Sequence, residues 1–444
     1  MIIETDIYGS LVRYRMASTI REQPPWTPPQ ARPNIRLPPL KIFNSLTRRK
    51  DDFVPIEPEG KIVTWYTCGP TVYDDAHLGH ARNYISTDVL RRIMKDYFGF
   101  HVKFVMNITD VDDKIILRGR QQYLLARFKQ EHDGPLDGPV PHSVIVAAKA
   151  AFEQYIQKNL PLLPPDTKPD SFVTEVDKAY RRVYEGRALD EDNAAPGDRE
   201  AKLKVHLRTA ALAAGALQVP GKLSEFYTNT EDVLLPYLDS LYGSIIDSED
   251  HSVFTSLTQK FEKRFFEDIH GLNVLDPDVV TRVSEYVPQI VSFIEKVVAN
   301  GFAYPTSDGS VYFDIEAFEE AGHSYARLEP WNRNDRGLQA DAEGSLSAKT
   351  TLKRNESDFA LWKASKPGEP SWPSPWAPGR PGWHIECSVM ASDVLGKAID
   401  IHSGGIDLRF PHHDNELAQS EAYWSTAASR VQWVNYFMHT GHLR

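Results

Sequence analysis

The chain has 444 residues, a formal net charge of −11, 41% hydrophobic and 25% charged residues, and two cysteines. That length holds a large core and two or three domains. The negative charge argues against nonspecific nucleic-acid binding over the whole surface while leaving room for a local basic groove, and two cysteines exclude a disulfide framework, which favours a reducing compartment, by default the cytosol.

Residues 1–40 are proline-rich and basic, with Arg13, Arg15, Arg21, Arg32 and Arg36 against Glu4, Asp6 and Glu22. They read as an extended arm rather than a domain. The first residues lack the apolar core of a secretory signal, and Glu4 and Asp6 count against a transit peptide. No apolar run nears the roughly 20 residues that span a bilayer.

Residues 41–129 read as the first half of a doubly wound α/β domain. A β-rich run, Lys61 to Cys68, enters a loop, and an amphipathic run with Ile85, Val89, Leu90 and Ile93 leaves it as a helix from about His80 to Tyr97. A helix N-terminus at the end of a strand collects anions. His77 and His80 are therefore expected to face a phosphate, and Cys68 to sit where α/β folds place ligands. Gly99 breaks the helix before a second buried strand, His101 to Ile108, which completes a βαβ unit. Thr109 or Asp110 is positioned to cap the next helix. Asp110, Asp112 and Asp113 read equally as capping and solvated charge or as functional groups.

Residues 130–270 form helical stretches separated by Pro161-Leu-Leu-Pro-Pro165 and by the polar Leu189 to Gly197. They carry no metal spacing, phosphate loop or nucleophile motif, so they read as a mostly helical insertion. In residues 271–444, apolar residues from Val279 to Val298 recur at helical spacing and end at Asn300-Gly301, a C-cap. Asp308-Gly309 marks a hairpin. Asn332 to Thr350 reads as a polar loop, and the Pro/Trp/Gly-rich Trp372 to Trp383 as a site wall or buried turns.

Cys387 is the second cysteine, and His412 and Glu416 lie four apart after Pro411, on one face of a helix begun by that proline. With Cys68 they make two thiolates, an imidazole and a carboxylate, a set suited to tetrahedral zinc. Without a CxxC pair, spacing alone leaves a structural reading open for each.

Five motifs decide between them. Thr67-Cys-Gly-Pro-Thr-Val-Tyr-Asp74, His77-Leu-Gly-His80, Asn107-Ile-Thr-Asp-Val-Asp-Asp-Lys-Ile-Ile116, Gly379-Arg-Pro-Gly-Trp-His-Ile-Glu-Cys-Ser388 and His402-Ser-Gly-Gly-Ile-Asp-Leu-Arg-Phe-Pro-His-His-Asp-Asn-Glu416 occur in this order. From about Ile42 onward the chain resembles the cysteinyl-tRNA synthetases, class I aminoacyl-tRNA synthetases, and most closely their eukaryotic cytosolic type. His77 to His80 stands for the HIGH motif.

The resemblance implies a Rossmann-type doubly wound parallel sheet with a helical insertion. It implies ATP (with Mg2+), L-cysteine and tRNA-Cys as substrates, and one Zn2+ held by Cys68, Cys387, His412 and Glu416. Zinc would take the substrate thiol as an added thiolate ligand, and serine, whose hydroxyl does not ionise there, would be rejected without editing. The resemblance further implies that Gly69, Thr71, Thr109, Trp383 and His412 line the cysteine pocket. His77, Gly79, His80, Gly404, Gly405 and Asp407 would receive ATP, with His77 and His80 stabilising charge as the carboxylate attacks the α-phosphorus.

The family's lysine-rich KMSKS loop and its anticodon-binding domain are not found before Arg444. The chain is therefore expected to be a fragment that binds zinc and cysteine yet exchanges pyrophosphate poorly. Two other functions stay open on sequence: a zinc-stabilised non-catalytic paralogue acting as a binding module, and a ligase joining cysteine to a small amine. The family's KIIK motif for pyridoxal phosphate-dependent persulfide formation reads here as Lys114-Ile-Ile-Leu117 and lacks its last lysine.

Overall fold

A computed structural model describes residues 23–132, 134–189, 197–344, 346, 352–426 and 429–441. The expectations for the first 22 residues of the arm, for most of the linker before Gly197, for part of the loop after Asn332 and for the last three residues lie outside these.

A hairpin, β1 (Lys41–Asn44) and β2 (Arg49–Asp52), precedes β3 (Ile62–Thr67). Helix α1 (Leu78–Arg92), extended by a π-helical turn to Tyr97, carries the chain over to β4 (His101–Ile108). Strand β4 lies parallel to β3, with Ile62 opposite His101 and Thr67 opposite Met106. Six helices follow: α2 (Asp113–Glu131), α3 (His142–Asn159), α4 (Phe172–Tyr184), α5 (Asp198–Gln218), α6 (Leu223–Tyr242) and α7 (Ser252–Gly271). Only then does β5 (Val279–Arg282) join the far side of β4.

Helix α8 (Val283–Ala299) leads to an antiparallel sheet of β6 (Ala303–Pro305), β7 (Val311–Phe313), β8 (Phe359–Ala364) and β9 (Gly379–Pro381), with α9 (Ile315–Glu320) and α10 (Arg336–Glu343) between β7 and β8. Then come α11 (Trp383–Leu395), β10 (Ile399–Gly405), α12 (Asp414–Trp424) and β11 (Val434–Thr440). The main sheet runs β11-β10-β3-β4-β5, all parallel. Its order reverses between β3 and β10, and a doubly wound sheet opens a crevice at that point, beyond the C-terminal strand ends. Cys68, Gly404-Gly405 and Thr109 stand there. Val63, Trp65, Tyr66, Val105, Ile108, Ile399 and Ile401 of the central strands are wholly buried, as a sheet covered on both faces requires. Among the described residues, no helix is long and apolar enough to cross a membrane.

Four local expectations are corrected. Val279 and Val280 belong to a strand, because they pair with Val105 and Met106 of β4; the helix starts at Val283. Ile85, Val89 and Leu90 of α1 and Ile93 of its π-helical extension point outward, and Tyr84, Thr87, Asp88 and Arg91 are the buried side. That polar face is used: Arg91 donates to the carbonyls of Leu275 and Asp276, and Asp88 accepts from the Leu275 amide. The polar run after Asn332 contains α10, capped by Asp335, whose carboxylate accepts from the amides of Gly337 and Leu338.

The fourth concerns the acidic triplet. Asp112 caps α2, accepting from the Lys114 amide. Asp110 instead accepts from the amide and hydroxyl of Ser284 at the start of α8. Asp113 is buried, 2.7 Å from Arg380 and 3.7 Å from Lys363, and accepts from the Leu346 amide. Arg380 also meets Glu369 at 3.3 Å. The capping reading thus holds for Asp112, while Asp110 and Asp113 tie α2's start to α8 and to Arg380.

Candidate active site and metal centre

Cys68 follows β3 directly, held by its amide to the Ser403 carbonyl of β10. At Gly69 a Cβ would come within 1.6 Å of the Asn107 carbonyl oxygen, so only glycine lets the chain leaving β3 pass this close to β4. The Gly69 amide donates to the Asn107 side chain, whose Nδ2 donates to Thr109 Oγ1. Thr71 and Thr109 form a parallel bridge. Gly69, Thr71 and Thr109 thus share one wall.

Cys387 and Trp383 come from α11. Cys68 and Cys387 have their sulfurs 3.8 Å apart. His412, in a π-helical turn over Arg409–His413, places Nε2 3.0 Å from Glu416 Oε1 and 3.6 Å from Cys68 Sγ. Glu416 Oε1 also lies 3.5 Å from Cys68 Sγ. All four groups are buried. Each shifts the titration of its neighbours. The Cys68 thiol donates to Cys387, holding its pKa down at about 6 against burial. Burial would push His412 down, yet Glu416 and Cys387 raise it to about 10. Burial would push Glu416 up, yet His402 and His412 hold it at about 2. Two thiols, an imidazole and a carboxylate are gathered without solvent, and a divalent cation held by them would displace their protons.

The donor atoms of Cys68, Cys387, His412 and Glu416 all lie within 4.8 Å of one another, and so do those of Cys68, His402, His413 and Glu416. The first set fits zinc better. It supplies two thiols where the second supplies one, although His413 Nε2 also lies 3.4 Å from Cys68 Sγ. His402 Nε2 meets Glu416 Oε2 at 2.8 Å, and His413 Nδ1 meets His439 Nε2 at 2.8 Å. These imidazoles stand where supports of a metal centre would: His402 against Glu416 Oε2, and His384 with its Nδ1 3.0 Å from His412 Nδ1. Burial lowers His384, His413 and His439 well below the usual histidine range. The Trp383 ring stacks on His412, centroids 4.4 Å apart at 27°.

His77 is the N-cap of α1, its Nδ1 accepting from the Gly79 amide, while its own amide donates to His80 Nδ1. The two rings stack 3.9 Å apart. A Cβ on Gly79 would sit 2.9 Å from the His77 ring, so glycine keeps the pair stacked. Burial and His77 lower His80, with the Asp407 charge opposing. Gly404 and Gly405 end β10. A Cβ on Gly404 would meet His413 at 2.8 Å, and one on Gly405 would meet the Asp407 carboxylate at 2.4 Å. Both glycines therefore accommodate the chain's own side chains. Of the expected residues, the structure brings together Cys68, Cys387, His412, Glu416 and Trp383, sets Gly69, Thr71 and Thr109 in the segments that follow β3 and β4, and stacks His77 on His80.

The supporting imidazoles of His384, His402, His413 and His439 were not singled out in the sequence. Three of them, His384, His402 and His413, at least fall within two of the five motifs, whereas His439 lies outside all of them.

Residues 53–444 match the family model described as tRNA synthetases class I (C) catalytic domain. The chain is 47% identical over 429 residues to the Drosophila melanogaster protein named cysteine–tRNA ligase, cytoplasmic, covering 95% of this chain and 52% of that protein. Proteins of the same name from Mus musculus and Homo sapiens are 46% and 45% identical over 427 residues, covering 95% of this chain and 47% and 52% of theirs. The chain spans about half the length of the curated relatives it matches.

Proposed function

The chain belongs to the class I tRNA synthetases of the cysteine type, and from that premise we propose that the protein activates L-cysteine with ATP and transfers the cysteinyl group to tRNA-Cys in the cytoplasm. The observation that carries this reading is the dry pairing of Cys68 and Cys387 with His412 and Glu416 beneath Trp383. Zinc bound by these four residues would lower the pKa of a substrate thiol and hold it as thiolate.

The chain's own groups do the rest. Trp383, already stacked on His412, closes the pocket over the amino acid and excludes water. Thr71 and Thr109 set its width. The carboxylate of cysteine then points toward His77 and His80, at the N-terminus of α1, where the helix dipole favours the nucleotide's phosphates. His80, held neutral by burial and by His77, offers a hydrogen bond without competing for a proton, and such prearranged donors stabilise charge as the α-phosphorus is attacked. Asp407 faces the same crevice for the ribose and base, with Mg2+ accompanying ATP. Serine brings a hydroxyl that stays protonated among these thiols.

The test is cysteine-dependent ATP–pyrophosphate exchange and charging of tRNA-Cys by the protein containing this chain, with serine and a small amine acceptor as controls. Exchange with cysteine alone and product on tRNA support the reading. Equal exchange with serine, or product on the amine alone, contradicts it.

A further inference from the structure

Beside the site, the β1–β2 hairpin, the turn at residues 329–332 and the turn Arg409–His413 meet in an aromatic, cationic patch. Trp331 is 48% exposed, the one exposed tryptophan among the described residues. The Arg48 guanidinium lies over its ring at 3.6 Å. Arg48 has φ +59°, a left-handed conformation that costs a non-glycine residue roughly 1–2 kcal/mol. The hairpin turn accounts for this conformation: Arg48 closes the loop between the paired Asn44 and Arg49, its amide donating to the Asn44 carbonyl, and the turn holds its side chain over Trp331. Arg409 lies 2.9 Å from Glu329, and Arg48 lies 3.9 Å from the same oxygen, so one carboxylate faces two guanidinium groups. Arg409 Nε is buried without a partner. Arg409 also opens the turn that carries His412 three residues on.

We propose that this patch receives the single-stranded 3′ end of the acceptor RNA, a base stacking on the open part of Trp331 and phosphates meeting Arg48 and Arg409. The proposal rests on the tRNA-charging reading above and gives it a contact surface. A single-stranded base stacks on any aromatic ring, whatever its identity, and guanidinium is the cation best matched to phosphate oxygens. On a chain of net charge −11, a polyanion requires such a local cationic contact. The position fits the chemistry: the RNA's terminal hydroxyl must reach the carboxyl of an amino acid whose thiol lies at Cys68 and Cys387. Arg409 precedes His412 by three residues, and on the other side of the patch the Leu328 and Glu329 amides donate to Asp414, two residues before Glu416.

The test measures the affinity of the full chain for tRNA-Cys and for the same RNA lacking its last three nucleotides. The wild type is compared with Trp331→Ala, Trp331→Phe and Arg48→Ala, and cysteine binding is titrated on each. Trp331→Ala is expected to weaken the intact RNA about tenfold and leave the shortened RNA unchanged. Trp331→Phe retains most of the affinity, and Arg48→Ala lowers the salt dependence by about one phosphate contact. Unchanged affinity, equal weakening of both RNAs, or a wild type that does not distinguish them overturns the patch assignment. Cysteine binding separates the two readings: if the wild type binds no cysteine, the charging reading fails, whereas a failed patch leaves cysteine binding intact.

Discussion

Replacing Arg380 with methionine removes the cation between two buried carboxylates. Arg380 Nη1 lies 2.7 Å from Asp113 and Nε 3.3 Å from Glu369, and all three side chains are nearly inaccessible. Breaking one buried pair costs about 3–5 kcal/mol, because the remaining charge has no water to turn to. Here two carboxylates lose their partner. Partial replacements remain: Lys363 is 3.7 Å from Asp113, the Leu346 amide still donates to it, and the Lys366 amide still donates to Glu369. The expected loss at pH 8 is about 3–4 kcal/mol, read by urea unfolding.

The pH dependence has a definite sign. Burial pushes Asp113 up, yet Arg380 and Lys363 hold it below its ordinary value, so its stabilising contribution is present above about pH 4 and is lost as pH falls through the lower folded value. In Arg380→Met that contribution is gone and the orphaned carboxylates bind protons. The gap to wild type is therefore widest near neutrality and narrows toward pH 4. A loss below about 1 kcal/mol, or one equal at pH 5 and pH 8, refutes the reasoning.

His402→Phe keeps the ring stacked on Phe437 but leaves Glu416 Oε2 without its 2.8 Å partner, and is expected to weaken zinc about 10–100-fold in chelator competition; unchanged affinity denies His402 its supporting role. His80→Ala is expected to slow cysteine-dependent pyrophosphate exchange about 100–1,000-fold with cysteine affinity unaltered; a change in cysteine affinity alone would move His80 out of the nucleotide half. Burial raises Asp400 to about 6 against its bonds from Thr64 and Ile56. Its folded value exceeds the unfolded one, so its stabilising contribution is full below about pH 4 and is lost as pH rises through 6, an effect of about 3 kcal/mol. Asp400→Asn should flatten that part of the pH–stability curve, and an identical slope in the variant would contradict the assignment.

The motif residues were legible in sequence because each has a chemistry its neighbours lack. Cys68 and Cys387 are the only thiols, and the strand, loop and helix around His77 and His80 follow from hydrophobic spacing and Gly99. What was not legible depends on partners distant in sequence. Val279 and Val280 have helical spacing, yet β4 offers them a free edge. Ile85, Val89, Leu90 and Ile93 look like a core face, yet the loop at residues 273–278 needs the donors and acceptors of Arg91 and Asp88 instead. Asp113 looks like solvent charge until Arg380, 267 positions later in the numbering, is folded against it. His384, His402, His413 and His439 acquire a role only when β10, α11 and β11 bring them around Glu416 and His412.

The central claim is that Cys68, Cys387, His412 and Glu416 form a zinc site that reads the thiol of cysteine. Elemental analysis with a cysteine-versus-serine binding titration, on this chain and on Cys387→Ala, tests it most directly. The account predicts one zinc per wild-type chain, cysteine bound at least about a hundredfold more tightly than serine, and loss of both metal and cysteine affinity in the variant. Undiminished zinc and undiminished cysteine binding in Cys387→Ala would contradict it.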